Sequence, residues 1–280
     1  MRLILALFAA LGLGACATTG DRANFDPRDP NESFNRGVWS FNQAADKAVI
    51  KPVTTVYRTV TPVPARRGIT AVLRNLSEPF SMVNALLQGK PDRAFNSLGR
   101  FIVNTTIGVG GLADHATDLG LPPTREDFGQ TLHHWGARNS PYLVLPLLGP
   151  STIRDGVGTA VQLVADPAQV ITQDVLGMTA TERAALTAVR VIDGRSQAID
   201  SGYDGVLETS ADPYAAARST YFQRREQQFR DEEADNLRDQ TPAEEQELLD
   251  RALEEDAPAA TPETPPAEEP ESEQGADRTD

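Results

Sequence analysis

Apolar residues in this chain recur at helical spacing, in short segments that proline opens or closes. Phe34, Val38, Phe41 and Ala45 lie four, three and four positions apart, one face of a helix. The segment opens at Asp29-Pro30-Asn31-Glu32. There Asp29 is placed to cap, Pro30 to take the first helical position and Glu32 to close a capping box. Pro52 is expected to end this helix. Pro62 and Pro64 punctuate the next segment, with Ile69, Val72, Leu73 and Leu76 as its stripe. Glu78-Pro79 starts a short helix through Leu87 that Gly89 stops, and Pro91-Asp92 opens another with Ala94, Leu98, Phe101 and Thr105 on one side. A short helix is predicted around Asp127 to Trp135, followed by an apolar run over residues 142–148 that Pro146 breaks. Thr179-x-x-Glu182 is a second capping box, opening a stripe of Leu186, Val189, Ile192 and Ile199 that Gly194 interrupts. Asp212-Pro213 opens the last helix, with Tyr214, Ala217 and Tyr221 on one face. Alternating β-type runs are scarce, so the fold class is expected to be all-α.

Charge divides the chain. The net charge is −14 overall, but residues 231–280 carry −16 and residues 1–230 carry +2. The acidity therefore belongs to a tail behind a nearly neutral body at 29–230, and neither part has the basic face of a nucleic-acid binder. Residues 256–280 contain no Leu, Ile, Val, Phe, Met, Trp or Tyr. Such a segment cannot bury enough apolar surface to offset its ordering entropy, and the tail is expected to be largely disordered. Leu237, Leu248 and Leu249 allow one frayed helix at its start.

The N-terminus reads as an address. Met1-Arg2, the apolar run Leu3 to Leu13, and Gly14-Ala15 describe a signal peptide over residues 1–15. The ending Leu13-Gly14-Ala15-Cys16 resembles a bacterial lipobox, in which Cys16 is the acylated first mature residue, a lipid anchor bearing palmitate-type chains. Cys16 is the only cysteine, so no intramolecular disulfide exists. Residues 16–28 then form a lipidated tether, and Ala17 favours sorting to the outer membrane. No apolar run reaches the ~18 residues of a spanning helix, which excludes a polytopic membrane protein.

Catalytic signatures are missing: no Gly-x-Ser-x-Gly, His-Glu-x-x-His, Ser-x-x-Lys or phosphate-binding Gly-Lys-Ser/Thr occurs. His133 and His134 are adjacent and diverge on a helix, and His115 stands alone. The expectation is a non-enzyme with no catalytic residue, metal or cofactor. Residues 101–113 are more apolar than a typical surface helix but too short to cross a bilayer. They suit a helix in the membrane interface or lining a cavity, with Asn104, Thr105 and Thr106 meeting water or head groups, or else an ordinary core helix. Gly108, Gly110 and Gly111 fit either a mobile loop or a tight static turn, with Asp114 following.

Several blocks resemble the MlaA (VacJ) family of outer-membrane lipoproteins. They are Asp29-Pro30-Asn31-Glu32-Ser33-Phe34-Asn35-Arg36; Asn75-x-x-Glu78-Pro79 with Val83-Asn84 and Leu86-Leu87-Gln88-Gly89; and Arg100-Phe101-x-x-Asn104-Thr105-x-x-Gly108-x-Gly110-Gly111-x-x-Asp114. Asp127-Phe128-Gly129-Gln130-Thr131-Leu132, Ser151-Thr152-x-Arg154-Asp155 and Asp212-Pro213-Tyr214 with Tyr221-Phe222-Gln223-Arg224 continue the series in order. The resemblance implies a ring of amphipathic helices around a central channel, lying in the inner leaflet of the outer membrane at its periplasmic face. It also implies removal of mislocalised phospholipid from the outer leaflet to a periplasmic carrier of the Mla pathway, for return to the inner membrane through an ABC transporter complex. A trimeric porin is the implied membrane partner. On this reading Asn104, Thr105, Thr106, Gly108, Gly110, Gly111 and Asp114 are channel or loop candidates. Asp29, Pro30, Phe34, Asn35, Glu78, Pro79, Arg154 and Asp155 are scaffold, with Asp155 near a helix N-terminus worth about 0.5–1 kcal/mol. Two alternatives remain: a structural lipoprotein that braces porins or the envelope without moving lipid, and a phospholipase, which would need a nucleophile and base that the sequence does not display.

Overall fold

The computed structural model describes residues 26–240, so the signal peptide, Cys16 and residues 241–280 lie outside it. The chain divides into two units, Met1–Gln227 and Gln228–Asp280. The described part of the first is helical apart from one small hairpin, and the described part of the second is the end of the last helix.

Helix α1 (Glu32–Ala45) passes through a π-helical turn, Asp46–Ile50, directly into α2 (Lys51–Val60). Pro52 therefore does not end the helix. Proline lacks an N–H and its ring crowds the carbonyl four residues back; the wider π turn immediately before it absorbs both defects. Asp29 does not cap α1 either. The N-cap is Asn31, with no side-chain capping bond. Asp29 is instead fully buried, accepting hydrogen bonds from Asn35 Nδ2 at 2.7 Å and from the Tyr214 hydroxyl, and pairing with Arg218 at 2.7 Å.

Helices α3 (Val63–Asn75), α4 (Glu78–Leu87) and α5 (Pro91–Thr106) each carry a proline in the first turn, where its missing N–H has no helical partner to lose. Two short helices, α6 (His115–Asp118) and α7 (Phe128–His134), follow, the latter opened by a complete capping box between Asp127 and Gln130. The apolar run then forms β1 (Tyr142–Leu145), antiparallel to β2 (Gly149–Thr152), with Tyr142 opposite Thr152. Pro146 sits in the connecting turn, where Leu147 adopts φ +62°. Next come α8 (Ile153–Ala165), α9 (Pro167–Val170), a π turn Ile171–Val175, and α10 (Ala180–Asp200). The capping box of Thr179 and Glu182 opens α10 as expected, but Gly194 does not interrupt it. Helices α11 (Tyr203–Thr209) and α12 (Pro213–Gln240) complete the described residues, α12 running ten residues past Arg230.

Neighbouring elements of the first unit form a closed circuit. Helix α2 packs on α10, α10 on α3, α3 on α5, α5 on α4, α4 on α7, α7 on α8, α8 on β1, β1 on α1, and α1 leads back to α2. A small aromatic core beside the hairpin joins Tyr142, Val144 and Tyr214 with Trp39, Tyr221 and Phe222. The Tyr142 and Tyr214 rings meet edge to face at 6.1 Å.

Helices α7 and α8 approach each other backbone to backbone. A Cβ at Gly158 would lie 2.7 Å from the Gly129 backbone nitrogen, whereas one at Gly156 would meet only Leu145 at 3.7 Å. Gly158→Ala is expected to destabilise the fold by about 1–3 kcal/mol, because two backbones must separate. Gly156→Ala is expected to be neutral or stabilising through helix propensity. Thermal denaturation of the two variants checks the contrast; equal melting temperatures would show that α7 and α8 do not meet as described.

Candidate functional site

Burial in this molecule is inverted relative to a water-soluble bundle. Among the described residues ten apolar side chains are buried, five of them alanine, against twenty-three polar or charged ones. Large apolar residues face outward instead. Val49, Val53, Val56 and Val60 recur at intervals of four, three and four on one face and are 45–70% exposed. On α5, Phe95, Leu98 and Ile102 form a second exposed stripe, with Ile107, Val109 and Leu112 beyond it. Contiguous apolar surface of this kind marks a face made for a partner or a membrane. No described helix is long and apolar enough to cross a membrane.

Charged clusters hold the interior. Arg100 Nε donates to Glu78 at 2.8 Å, while its Nη2 reaches both oxygens of Asp114 at 3.1 and 3.0 Å and Nη1 the Leu121 carbonyl at 2.6 Å. Asn104 donates to Asp114 at 3.0 Å and accepts from the Ala116 N–H at 2.9 Å. Burial would raise the Asp114 carboxyl, but the hydrogen bonds of Arg100, Thr117 and Asn104 outweigh it and hold the group at about 2. Glu78 is more deeply buried, and desolvation wins there: its carboxyl is pushed up despite Arg100. A second cluster centres on Asp155, gripped by Arg154 at 2.8 Å, Arg225 at 2.9 Å and the Tyr221 hydroxyl, with Arg225 also reaching Asp127 at 2.6 Å.

Polar clefts run between these clusters. One of about 770 Å³ lies between α3, α5 and α10, its wall mixing Arg66, Arg100, Asn104 and Asp114 with Val63 and Leu112. It shares Thr70, Arg74 and Gln197 with a neighbouring cleft of about 190 Å³ that also receives Arg125, Gln162, Arg190 and Asp193. Gln162 in turn borders a third cleft of about 180 Å³ beside Asp127, Asp155 and Arg225. The three clefts thus form a series with common walls. A separate cleft of about 750 Å³ lies between the α1–α2 helix, the hairpin turn, α10 and α11.

Known proteins share this arrangement of sequence. The profile of the MlaA lipoprotein family matches residues 27–228. The chain belongs to the MlaA lipoprotein family. The intermembrane phospholipid transport system lipoprotein MlaA of Shigella flexneri is 36% identical over 224 residues, 79% of this chain and 85% of that protein. Its counterpart in Haemophilus influenzae is 32% identical over 228 residues, 79% and 87% of the two chains. A solved structure described as the structural basis for maintenance of bacterial outer membrane lipid asymmetry is 39% identical with a TM-score of 0.57, covering 70% of this chain and 96% of its own.

Within this MlaA fold the residues singled out from sequence are distributed unevenly. Asn104 and Asp114 line the large cleft, bonded to each other. Thr105 Oγ1 accepts from Asn75 at 2.9 Å, and Thr106 donates back to the Ile102 carbonyl at 2.7 Å on the exposed side. A Cβ at Gly108 would lie 2.3 Å from the Ala113 carbonyl oxygen, and one at Gly111 2.8 Å from Asn75 Cβ. Those two glycines are packed into a tight helix-end turn, while Gly110 faces open space at φ +70°. Pro30 precedes α1, Phe34 is 38% exposed, and Asn35 is fully buried, bridging Asp29 to the Tyr142 carbonyl and the Val144 N–H. Pro79 sits in the first turn of α4 beside Glu78. The arginines of the middle cleft went unnoticed in the sequence. A signal exists for one of them: Arg66, Thr70 and Arg74 stand four apart on α3, a polar stripe in an otherwise ordinary helix.

Asp155 also does more than face a helix dipole. Burial would raise its carboxyl, but the Arg154 hydrogen bond and the Arg225 charge hold it at about 2, against 3.8 for an unperturbed aspartate. The ionised form therefore stabilises the fold above the unfolded value, and that contribution is lost as pH falls from 3.8 through about 2. Asp155→Asn is expected to remove about 3–5 kcal/mol at pH 7, because it takes from the buried Arg154 and Arg225 the carboxylate charge that they share, and to flatten the acid limb of the stability curve. Chemical denaturation from pH 7 to pH 2 measures both; an unchanged acid limb in the variant would contradict the assignment.

Proposed function

We propose that this protein is an outer-membrane lipoprotein, anchored through acylated Cys16, that removes phospholipid from the outer leaflet and passes it inward. The inverted burial carries this reading. A phospholipid leaving a leaflet needs a polar path for its head group while its tails stay against apolar surface, and a body with polar clefts inside and apolar stripes outside supplies both. The closed circuit of helices supports a ring embedded in one leaflet, with the series of polar clefts as its passage. The named function of the relatives, intermembrane phospholipid transport, agrees with it. Lipid would leave toward a soluble periplasmic carrier, and the apolar rim is suited to seat the ring beside a trimeric porin. No bond is made or broken, so the role is passage rather than catalysis.

A strain lacking the protein is expected to accumulate phospholipid in the outer leaflet, measured by labelling surface-exposed head groups with a membrane-impermeant reagent. The intact gene restores asymmetry and Cys16→Ala does not. Wild-type asymmetry in the deletion would favour the bracing role. Val56→Asp places a charge in the middle of the exposed valine stripe. It is expected to leave the melting temperature in detergent within a few degrees while weakening binding to phospholipid vesicles; undiminished vesicle binding would remove that stripe from the membrane contact.

A further inference from the structure

Among the described residues the middle cleft holds an excess of positive charge. Arg74 from α3, Arg125 from the loop before α7 and Arg190 from α10 line it, against the single carboxylate of Asp193. That carboxylate is already engaged by the Thr70 hydroxyl at 2.7 Å and by Gln197 Nε2 at 2.7 Å. Arg74 donates only to the neutral Gln197 oxygen, at 3.1 Å. Arg125 and Arg190 form no hydrogen bond or ion pair with any described residue. The other acids nearby are committed or distant. Glu78 faces Arg125 but is bonded to Arg100, and Asp166 faces Arg190 but caps α9 through the Ala168 N–H at 2.9 Å.

Arg125 is open to solvent, yet burial pushes its guanidinium below the usual arginine range, and the like charge of Arg74 adds to the effect. The side chain lines the cleft together with Arg74 and Arg190. Guanidinium groups in such a place are matched to a phosphate: they present planar forks of N–H donors and are weakly hydrated. The cleft, at about 190 Å³, admits a head group and not a pair of acyl chains. Through Thr70, Arg74 and Gln197 it opens into the cleft of about 770 Å³, whose walls include Val63, Ala71 and Leu112.

We propose that Arg74, Arg125 and Arg190 form a phosphate-recognition station that holds the phosphodiester of a glycerophospholipid in transit, with its tails directed along the larger cleft. This rests on the lipid-passage reading and adds to it the group that is recognised and the residues that recognise it. Because no head-group substituent is needed for the contact, the station takes zwitterionic and anionic glycerophospholipids alike.

The test uses the full chain in detergent micelles, with isothermal titration of dihexanoyl-phosphatidylglycerol, dihexanoylglycerol and inorganic phosphate. The wild type is expected to bind the phospholipid more tightly than the diacylglycerol. The double variant Arg125→Gln/Arg190→Gln is expected to bind the phospholipid about tenfold or more weaker, the scale of a lost charge-assisted contact, with binding of the diacylglycerol unchanged. Arg125→Lys/Arg190→Lys should recover part of the loss, and melting temperatures within a few degrees of wild type confirm folding. If the double variant does not fold, the three-way comparison on wild type decides: equal affinity for phospholipid and diacylglycerol overturns the station. Equal phospholipid affinity in wild type and variant overturns it too while leaving lipid passage standing. A wild type that binds neither lipid sinks the passage reading itself. Displacement of the phospholipid by millimolar inorganic phosphate would assign the arginines to a free anion and overturn the lipid source.

Discussion

Buried carboxylates gripped by arginine hold this body together where a water-soluble bundle would use leucine. Asp29 ties the segment before α1 to α12 through Arg218 and Tyr214. Asp155 ties α8 to α12 through Arg225 and Tyr221, and Arg225 extends the tie to the start of α7. Glu78 and Asp114 meet on Arg100 of α5, and Glu126, with a side chain fully buried, meets Arg93 and Lys90. On the opposite flank Arg195 of α10 bridges Asp46 in the π turn, at 2.8 Å, and Asp204 in α11, at 2.8 Å. In water such pairs are poor substitutes for apolar burial, since desolvation offsets their attraction. In a bilayer the comparison changes. Lipid tails are as apolar as leucine, so helices gain nothing by burying leucine against each other, and polar contacts and close packing must hold them.

That constraint explains features that otherwise look unrelated. Glycine at 129 and 158 lets α7 and α8 approach backbone to backbone, the close packing that replaces a greasy interface. Among the described residues the aromatic core gathers at the hairpin, α12 and Trp39 of α1, where Tyr142 and Tyr214 are buried. The long α1–α2 helix keeps its valines outward because a π turn lets it pass Pro52 without breaking. Its inward face is left to Asp46, Arg58 and Tyr57, which address α10: Arg58 donates to Ser196 and pairs with Asp200 at 2.7 Å.

Local signals in the sequence were legible and long-range ones were not. Helix starts at Glu78, Pro91, Ala180 and Pro213 follow from prolines and capping residues a few positions apart, information that one segment contains. Asp29 misled because the same residue type caps helices and forms buried pairs, and its partners Tyr214 and Arg218 stand 185 and 189 positions away. Pro52 misled because a proline excludes a regular α-turn, not a wider one. The exposed stripes had the right period, but periodicity fixes only that a face is apolar; it does not say whether protein or lipid covers it. The family motifs gave the architecture because they sample the whole body at once.

The distribution of unspent charge bears on direction. The buried acids Asp29, Glu78, Glu126 and Asp155 each have a cationic partner, so the carboxylates of the clusters present little free negative potential. Arginine is in surplus where the clefts narrow. A positive constriction between low-dielectric walls focuses its field and draws anionic groups inward. It also sets a limit, because a station that bound phosphate too tightly would stop flow. Arg74 makes a single contact, to the neutral Gln197 oxygen, and Arg125 is exposed, so no bidentate carboxylate fork holds either guanidinium. A head group then exchanges water-like contacts for arginine contacts and back again, an arrangement of shallow attraction suited to passage rather than storage.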